Sequence, residues 1–258
     1  MRWRAALRDR AVRVYGAAAH EGQAMSTLLA LVVENPEPGK AFPGLVGELT
    51  GEEAARLYRA SVMDMCEAYA ACNVRTRLVL YGPKGSRKKV GLLASKHWRL
   101  VERKGPDRGE TLIDLAERAF KGGHRRVVAM FPRGVTAPPE FVLNAFDQLL
   151  VDDIVLGPTV DGDIYAVGFS VDMPYVFMGF DWGDTPTVFD RLIDRVERLG
   201  LVLGLMPHWY GVDRPESLGV LSSHLRAQVV ADGHATSPRV AEVIRKIMPS
   251  REPGTPGE

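Results

Sequence analysis

Apolar positions along the chain fall into two patterns, short unbroken runs and longer spaced stripes. Leu28 to Val33 (LLALVV) is an unbroken run of strand formers, closed by the turn signal Glu34-Asn35-Pro36-Glu37-Pro38-Gly39. A run with no polar face reads as a buried parallel strand feeding a loop. Thr50-Gly51-Glu52-Glu53 then opens a helix expected to reach about Cys72, with Thr50 as N-cap and Glu53 at the capping-box position. Arg77 to Tyr81 predicts a second strand, Thr111 to Phe120 a helix and Val127 to Phe131 a third strand. Pro138 to Leu150 reads as a helix with proline near its start. Ile154 to Leu156 and Ile164 to Phe169 are the fourth and fifth strands. Thr185 to Leu199 is a helix and Leu201 to Met206 a sixth strand. Pro215 to Leu225 and Pro238 to Met248 close the chain as helices, the last with Ser237 as expected cap and Pro238 at its first position.

Strands alternating with helices predict an α/β fold, a mostly parallel central sheet with helices on both faces. In such sheets ligands sit beyond the carboxyl ends of the strands, so the loops after the first, third and fourth strands are where a site is expected. The 258 residues suit one core, and residues 26–248 are expected to form a single domain. The preceding residues 1–25 form a basic extension with Arg2, Arg4, Arg8, Arg10 and Arg13. It reads as a helix packed on the domain, as a targeting or anionic-surface segment, or as a stretch upstream of a true start at Met25. Residues 249–258 read as a disordered tail.

Composition narrows the partners. A formal net charge of +1 gives no global field pointing to nucleic acid. The basic run from Lys84 to Lys104 includes His97 and Trp98, but a solvated sheet edge explains it more simply than nucleic-acid contact. Two cysteines, Cys66 and Cys72, without metal-type spacing, fit a reducing cytoplasm. No early apolar run is long enough to span a bilayer.

Several segments carry a resemblance when taken in order. They are Asn35-Pro36-Glu37-Pro38-Gly39-Lys40, the helix Leu49-Thr50-Gly51-Glu52-Glu53-Ala54-Ala55-Arg56-Leu57-Tyr58, and Leu156-Gly157-Pro158-Thr159-Val160-Asp161-Gly162-Asp163. Trp182, Thr185-Pro186 and Val212-Asp213-Arg214-Pro215-Glu216 follow. Together they resemble the bacterial glycosyltransferase-like proteins described as radical-SAM/selenodomain-associated transferases, which have the GT-A nucleotide-diphospho-sugar transferase fold. The resemblance covers about Leu28 to Leu225.

It implies a nucleotide or nucleotide sugar as ligand, and a divalent Mg or Mn ion to neutralise the diphosphate. Carried onto this chain, it marks Lys40, Arg133, Asp161 and Gly162 for the diphosphate, and Asp213 with Asp161 for a metal. The chain departs from the pattern at telling places. Phe42 and Gly44 stand where the family has Lys and Arg, and Arg133 stands at its metal-type Asp. Asp163 replaces a Gly, Gly211 an Asp, and Glu110-Thr111-Leu112-Ile113 blurs a Gly-Asp-Leu-Gly segment. Arg133 then either binds a diphosphate directly, since one guanidinium carries the charge of an Asp plus a divalent ion, or pairs with a neighbouring carboxylate. Lys40 is a phosphate contact or a solvated lysine, Asp161 a ligand or a turn residue, and Asp213 one of a carboxylate pair or a helix cap. Asp181, Asp184 and His208 are further residues of site-side loops.

Two readings follow. One is a GT-A-type protein that still binds a nucleotide or nucleotide sugar with little or no metal dependence, and that transfers a glycosyl rather than a nucleotidyl group if it is an enzyme. The other is an inactive pseudo-transferase acting as a protein-binding or assembly partner.

Overall fold

A computed structural model of the chain describes residues 26–248 apart from 73–75, 106, 173, 180 and 184, so the basic extension and the tail lie outside the described residues. Seven strands form one sheet: β1 (Ser26–Val32), β2 (Thr76–Gly82), β3 (Arg99–Glu102), β4 (His124–Met130), β5 (Ile154–Pro158), β6 (Ile164–Phe169) and β7 (Leu203–Leu205). Their spatial order is β3-β2-β1-β4-β6-β5-β7. β1 pairs in parallel with both β2 and β4, and β5 in parallel with β7. β6 alone is antiparallel, to β4 on one side and β5 on the other.

The continuous apolar run of β1 is explained by cover on both faces. Leu29, Leu31 and Val33 point into one core, while Leu28, Ala30 and Val32 point into the other. On the first face lie α1 (Gly51–Ala71), α4 (Pro139–Gln148), α6 (Pro215–Asp232) and α7 (Pro238–Ile247). On the second lie α3 (Arg108–Lys121) and α5 (Thr185–Arg198), through Leu112, Leu115, Val188, Leu192 and Val196. Side chains alternate across a strand, so a strand covered twice must be apolar at every position.

The expected elements are present, and three details differ. The basic run hides two elements, a short helix α2 (Arg87–Gly91) and the edge strand β3. Its lysines are exposed, as an edge requires, but Trp98 is buried with Nε1 donating to Cys66 O at 2.9 Å, and Arg103 is buried. Ser237 precedes Pro238 at the start of α7 but does not cap it; its hydroxyl turns to Val135 O at 3.4 Å. Third, no capping bond forms from Asp213, because Arg214 occupies the cap position of α6.

Two of these features place the site. The chain leaves β1 toward β2 and β3 on one side and returns to β4 on the other, so the sheet order reverses between β1 and β4. That reversal opens a crevice at the strand ends. The antiparallel β6 begins beside the end of β4, with Phe131 N donating to Tyr165 O at 2.9 Å. Residues just before β6 therefore face residues just after β4.

Candidate functional site

A cavity of about 520 Å³ opens at this crevice. Val32 and Glu34 enter it from the end of β1, and Phe131, Pro132 and Arg133 from the end of β4. Lys40, Phe42, Pro43 and Gly44 come from the loop after β1, Tyr58 from α1 and Arg108 from the start of α3. Trp182 and Gly183 precede α5, and Asp213 to Glu216 lead into α6.

The first loop is anchored before it reaches the cavity. Glu34 N donates to Tyr58 Oη at 2.6 Å, and Tyr58 receives the edge of the Phe42 ring at 4.9 Å between centroids. Phe42 has φ 45, the one left-handed backbone among described non-glycine residues. A bulky residue in that region is strained and persists only where its surroundings over-determine it. Here the buried ring and the helical turn from Pro43 to Leu45 do so. Lys40 reaches the rim, exposed, with Nζ donating to Glu37 Oε2 at 2.9 Å; Lys89 pairs with the same carboxylate.

A cluster of charge forms one side of the cavity. Arg133, only 4% exposed, spreads its guanidinium over three carboxylates. Nη1 donates to Asp163 Oδ2, Nη2 to Asp213 Oδ1 at 2.6 Å, and Nε to the same Asp213 oxygen at 3.1 Å; Asp161 Oδ2 stands 3.4 Å from Nη2. Two further arginines close the set. Arg108 Nη1 donates to Asp163 Oδ1 at 2.6 Å, and Arg214 Nε lies 3.0 Å from Asp161 Oδ2. Three arginines and three aspartates sum to zero charge, which is what allows Asp163 to be fully buried. Burial alone would weaken the hold of Arg133 on its proton; the carboxylates of Asp213 and Asp163 outweigh it, and the pKa is raised. The cationic heads of Arg108 and Arg214 remain partly open, their side chains 23% and 39% exposed. Arg108 also sits over the rings of Phe131 and Trp182, at 5.3 and 5.6 Å from their centroids.

The structure thus brings Arg133, Asp161 and Asp213 together, with Asp163 added, and puts Lys40 at the rim. Arg133 is the carboxylate-paired arginine rather than an open phosphate contact. Asp213 is held by it and caps nothing. Asp161 and Asp213, the metal candidates, converge on a guanidinium that fills the space between them. Asp161 Oδ2 and Asp213 Oδ1 both face arginine, and among the described residues no group of three acidic, histidine or cysteine side chains is arranged to hold a metal, so the set does not fit a divalent Mg or Mn ion. Gly162 lies outside the cavity lining. Its φ of 85 and the close approach of Pro186 O to where a side chain would start make it a structural glycine at the contact with α5. His208 is exposed, and Asp181 Oδ1 accepts from Gly183 N at 2.8 Å in a local turn. Asp184 lies outside the described residues.

Arg108 and Arg214 escaped the sequence reading as cavity residues. Arg214 stands inside a motif already singled out, next to Asp213. Arg108 carried no signal, since its role depends on β6 running antiparallel and delivering Asp163 beneath it.

Comparison with known proteins agrees with this architecture. Residues 65–184 match the family described as "Uncharacterized protein conserved in bacteria (DUF2064)". The proposed nucleotide-diphospho-sugar transferase of Desulfovibrio desulfuricans G20 superposes with a TM-score of 0.72 at 29% identity, over 86% of this chain and 99% of that one. The chain is thus similar in sequence and fold to a nucleotide-diphospho-sugar transferase-like protein, and shares its mostly parallel sheet flanked by helices. Two more distant structures share the fold alone. They are a cytidylyltransferase of Leptospira borgpetersenii (TM-score 0.54, 12% identity, 86% of this chain and 95% of that one) and the 4-diphosphocytidyl-2C-methyl-D-erythritol synthase of Anaerococcus prevotii (0.52, 12%, 80% and 100%). A search of curated proteins gave no match. Among the described residues, no helix is long and apolar enough to cross a membrane.

Proposed function

We propose that the cavity binds a nucleotide or nucleotide sugar, with the diphosphate against Arg108 and Arg214 and with Lys40 at the rim. The carrying observation is the arrangement of those two arginines. Both have one face on a buried or half-buried aspartate and the other open to a crevice at the sheet's reversal point. Guanidinium groups held in place by carboxylates are pre-positioned, so little side-chain freedom is lost when they meet an anion. Phe42, Phe131 and Trp182 give the apolar wall that a base or sugar ring needs. If the protein is an enzyme, glycosyl transfer suits it better than nucleotidyl transfer, since the first loop is proline-rich rather than glycine-rich. Free cysteines, with burial raising the Cys66 thiol to about 12, support a reducing cytoplasmic home.

Calorimetric titration with UDP, GDP and their glucose and mannose conjugates tests the reading. Saturable binding that weakens by about tenfold or more in Arg214→Gln, the loss of one charge-assisted contact, is expected. A second reading has its own support: every cavity arginine already bears a carboxylate, as in a protein kept for assembly rather than for ligand. No heat with any nucleotide would favour that pseudo-transferase and send the search to protein partners.

A further inference from the structure

We infer that Arg133 is a built-in cation standing in for a divalent metal, so that the site keeps its charge balance permanently and neither needs nor takes up Mg²⁺ or Mn²⁺. Three observations carry this. First, carboxylates from two separate stretches, Asp161 and Asp163 before β6 and Asp213 after β7, converge on one point, and that point is a guanidinium 4% exposed. Carboxylates gathered without a cation would repel one another and resist burial. Second, the space is reserved for it. A side chain begun at Gly211 would stand 3.0 Å from Asp213 Oδ1 and 3.1 Å from Arg133 Nε. A side chain at 211, where the resembled family carries an acid, would press on both groups and require them to give by a few tenths of an ångström, so the glycine at 211 suits the arginine at 133. Third, the backbone is locked to it, because Val212 N donates to Arg133 O at 2.9 Å and so fixes the segment that presents Asp213. A tethered guanidinium differs from a metal in two respects. It cannot be chelated away, and it spreads its charge over a plane instead of focusing it at a point.

The inference deepens the reading above and rests on the same cavity, yet its readout is metal rather than nucleotide, so the two fail separately. The test adds Mn²⁺ to the full chain and follows the electron paramagnetic resonance signal of the free ion together with the melting temperature. In the unaltered protein the signal should stay that of free Mn²⁺, and neither Mn²⁺ nor EDTA should move the melting temperature. Arg133→Ala should melt lower, and Mn²⁺ should raise its melting temperature while the free-ion signal falls, with an affinity about tenfold or more above that of the parent. Adding Asp213→Asn to Arg133→Ala should abolish that response. Arg133→Lys keeps the charge and should show none. Mn²⁺ uptake by the unaltered protein that disappears in Asp213→Asn would overturn the inference, as would a folded Arg133→Ala protein indifferent to metal. Should Arg133→Ala not fold, the unaltered protein and Arg133→Lys still decide: metal uptake by either defeats the proposal, and its absence in both supports it.

Discussion

At Gly44 a methyl group would stand 2.6 Å from the carbonyl oxygen of Asp213. Backbone has no rotamer with which to escape, so the loop and the Asp213 segment would have to part. Gly44→Ala is therefore expected to destabilise the fold by about 1–3 kcal/mol, as overpacking does, read as a lower urea midpoint with an unchanged slope. It should also weaken nucleotide binding, because Arg214 follows directly on the displaced residue. This contact shows what could and could not be read from the chain. That Gly44, Arg133, Asp163 and Gly211 break a familiar pattern was visible residue by residue. That they compensate one another was not, because pairing between residue 44 and residue 213, or 133 and 163, is a property of strand order and direction. A lone Arg at an Asp position reads as damage; only the three carboxylates around it turn it into a replacement.

Among the elements, α1 was the most legible. Its capping box is present as expected, with Thr50 Oγ1 accepting from Glu53 N at 3.2 Å and Glu53 Oε2 accepting from Thr50 N at 2.9 Å. Thr50→Ala should cost about 1 kcal/mol of unfolding free energy, measured by chemical denaturation, without touching the cavity. Local chemistry of this kind sits within four residues and is readable. The start of α7 was misread for the opposite reason. Its free N–H at Val240 is met by Asp64 Oδ2 at 2.9 Å, from α1, far away in sequence. Arg239 completes the junction by pairing with Asp64 and Glu67. Asp64→Ala removes the acceptor and leaves that buried N–H unmet, so a loss of about 1–3 kcal/mol is expected, together with faster amide exchange at Val240. The short α2 and β3 were hidden because an edge strand needs only one apolar face, and lysines mask even that.

For the molecule as a whole, the cavity is tied to a second polar cluster through the segment from Pro207 to Asp213. Trp209 Nε1 donates to Thr136 Oγ1 at 3.0 Å, Thr136 Oγ1 donates to Tyr210 Oη at 2.8 Å, and Tyr210 Oη shares a hydrogen bond of 2.7 Å with His224 Nδ1. The stacked rings of Trp209 and Tyr210 thus brace the strand of chain that delivers Asp213 to Arg133. Burial lowers the pKa of His224 from its ordinary 6.5. The sign follows from that direction. Above about pH 6.5 folded and unfolded chains both hold a neutral imidazole, so stability is flat there. Below it the unfolded chain takes up a proton that the fold resists, and stability falls until the lowered folded pKa is reached. Melting temperature measured from about pH 7.5 down to about pH 5 should therefore decline in the lower half of the range, and His224→Gln, which has nothing to protonate, should decline less. If His224→Gln and the parent lose stability in parallel, the acid sensitivity belongs elsewhere in the molecule, and the aromatic brace behind Asp213 is not its source.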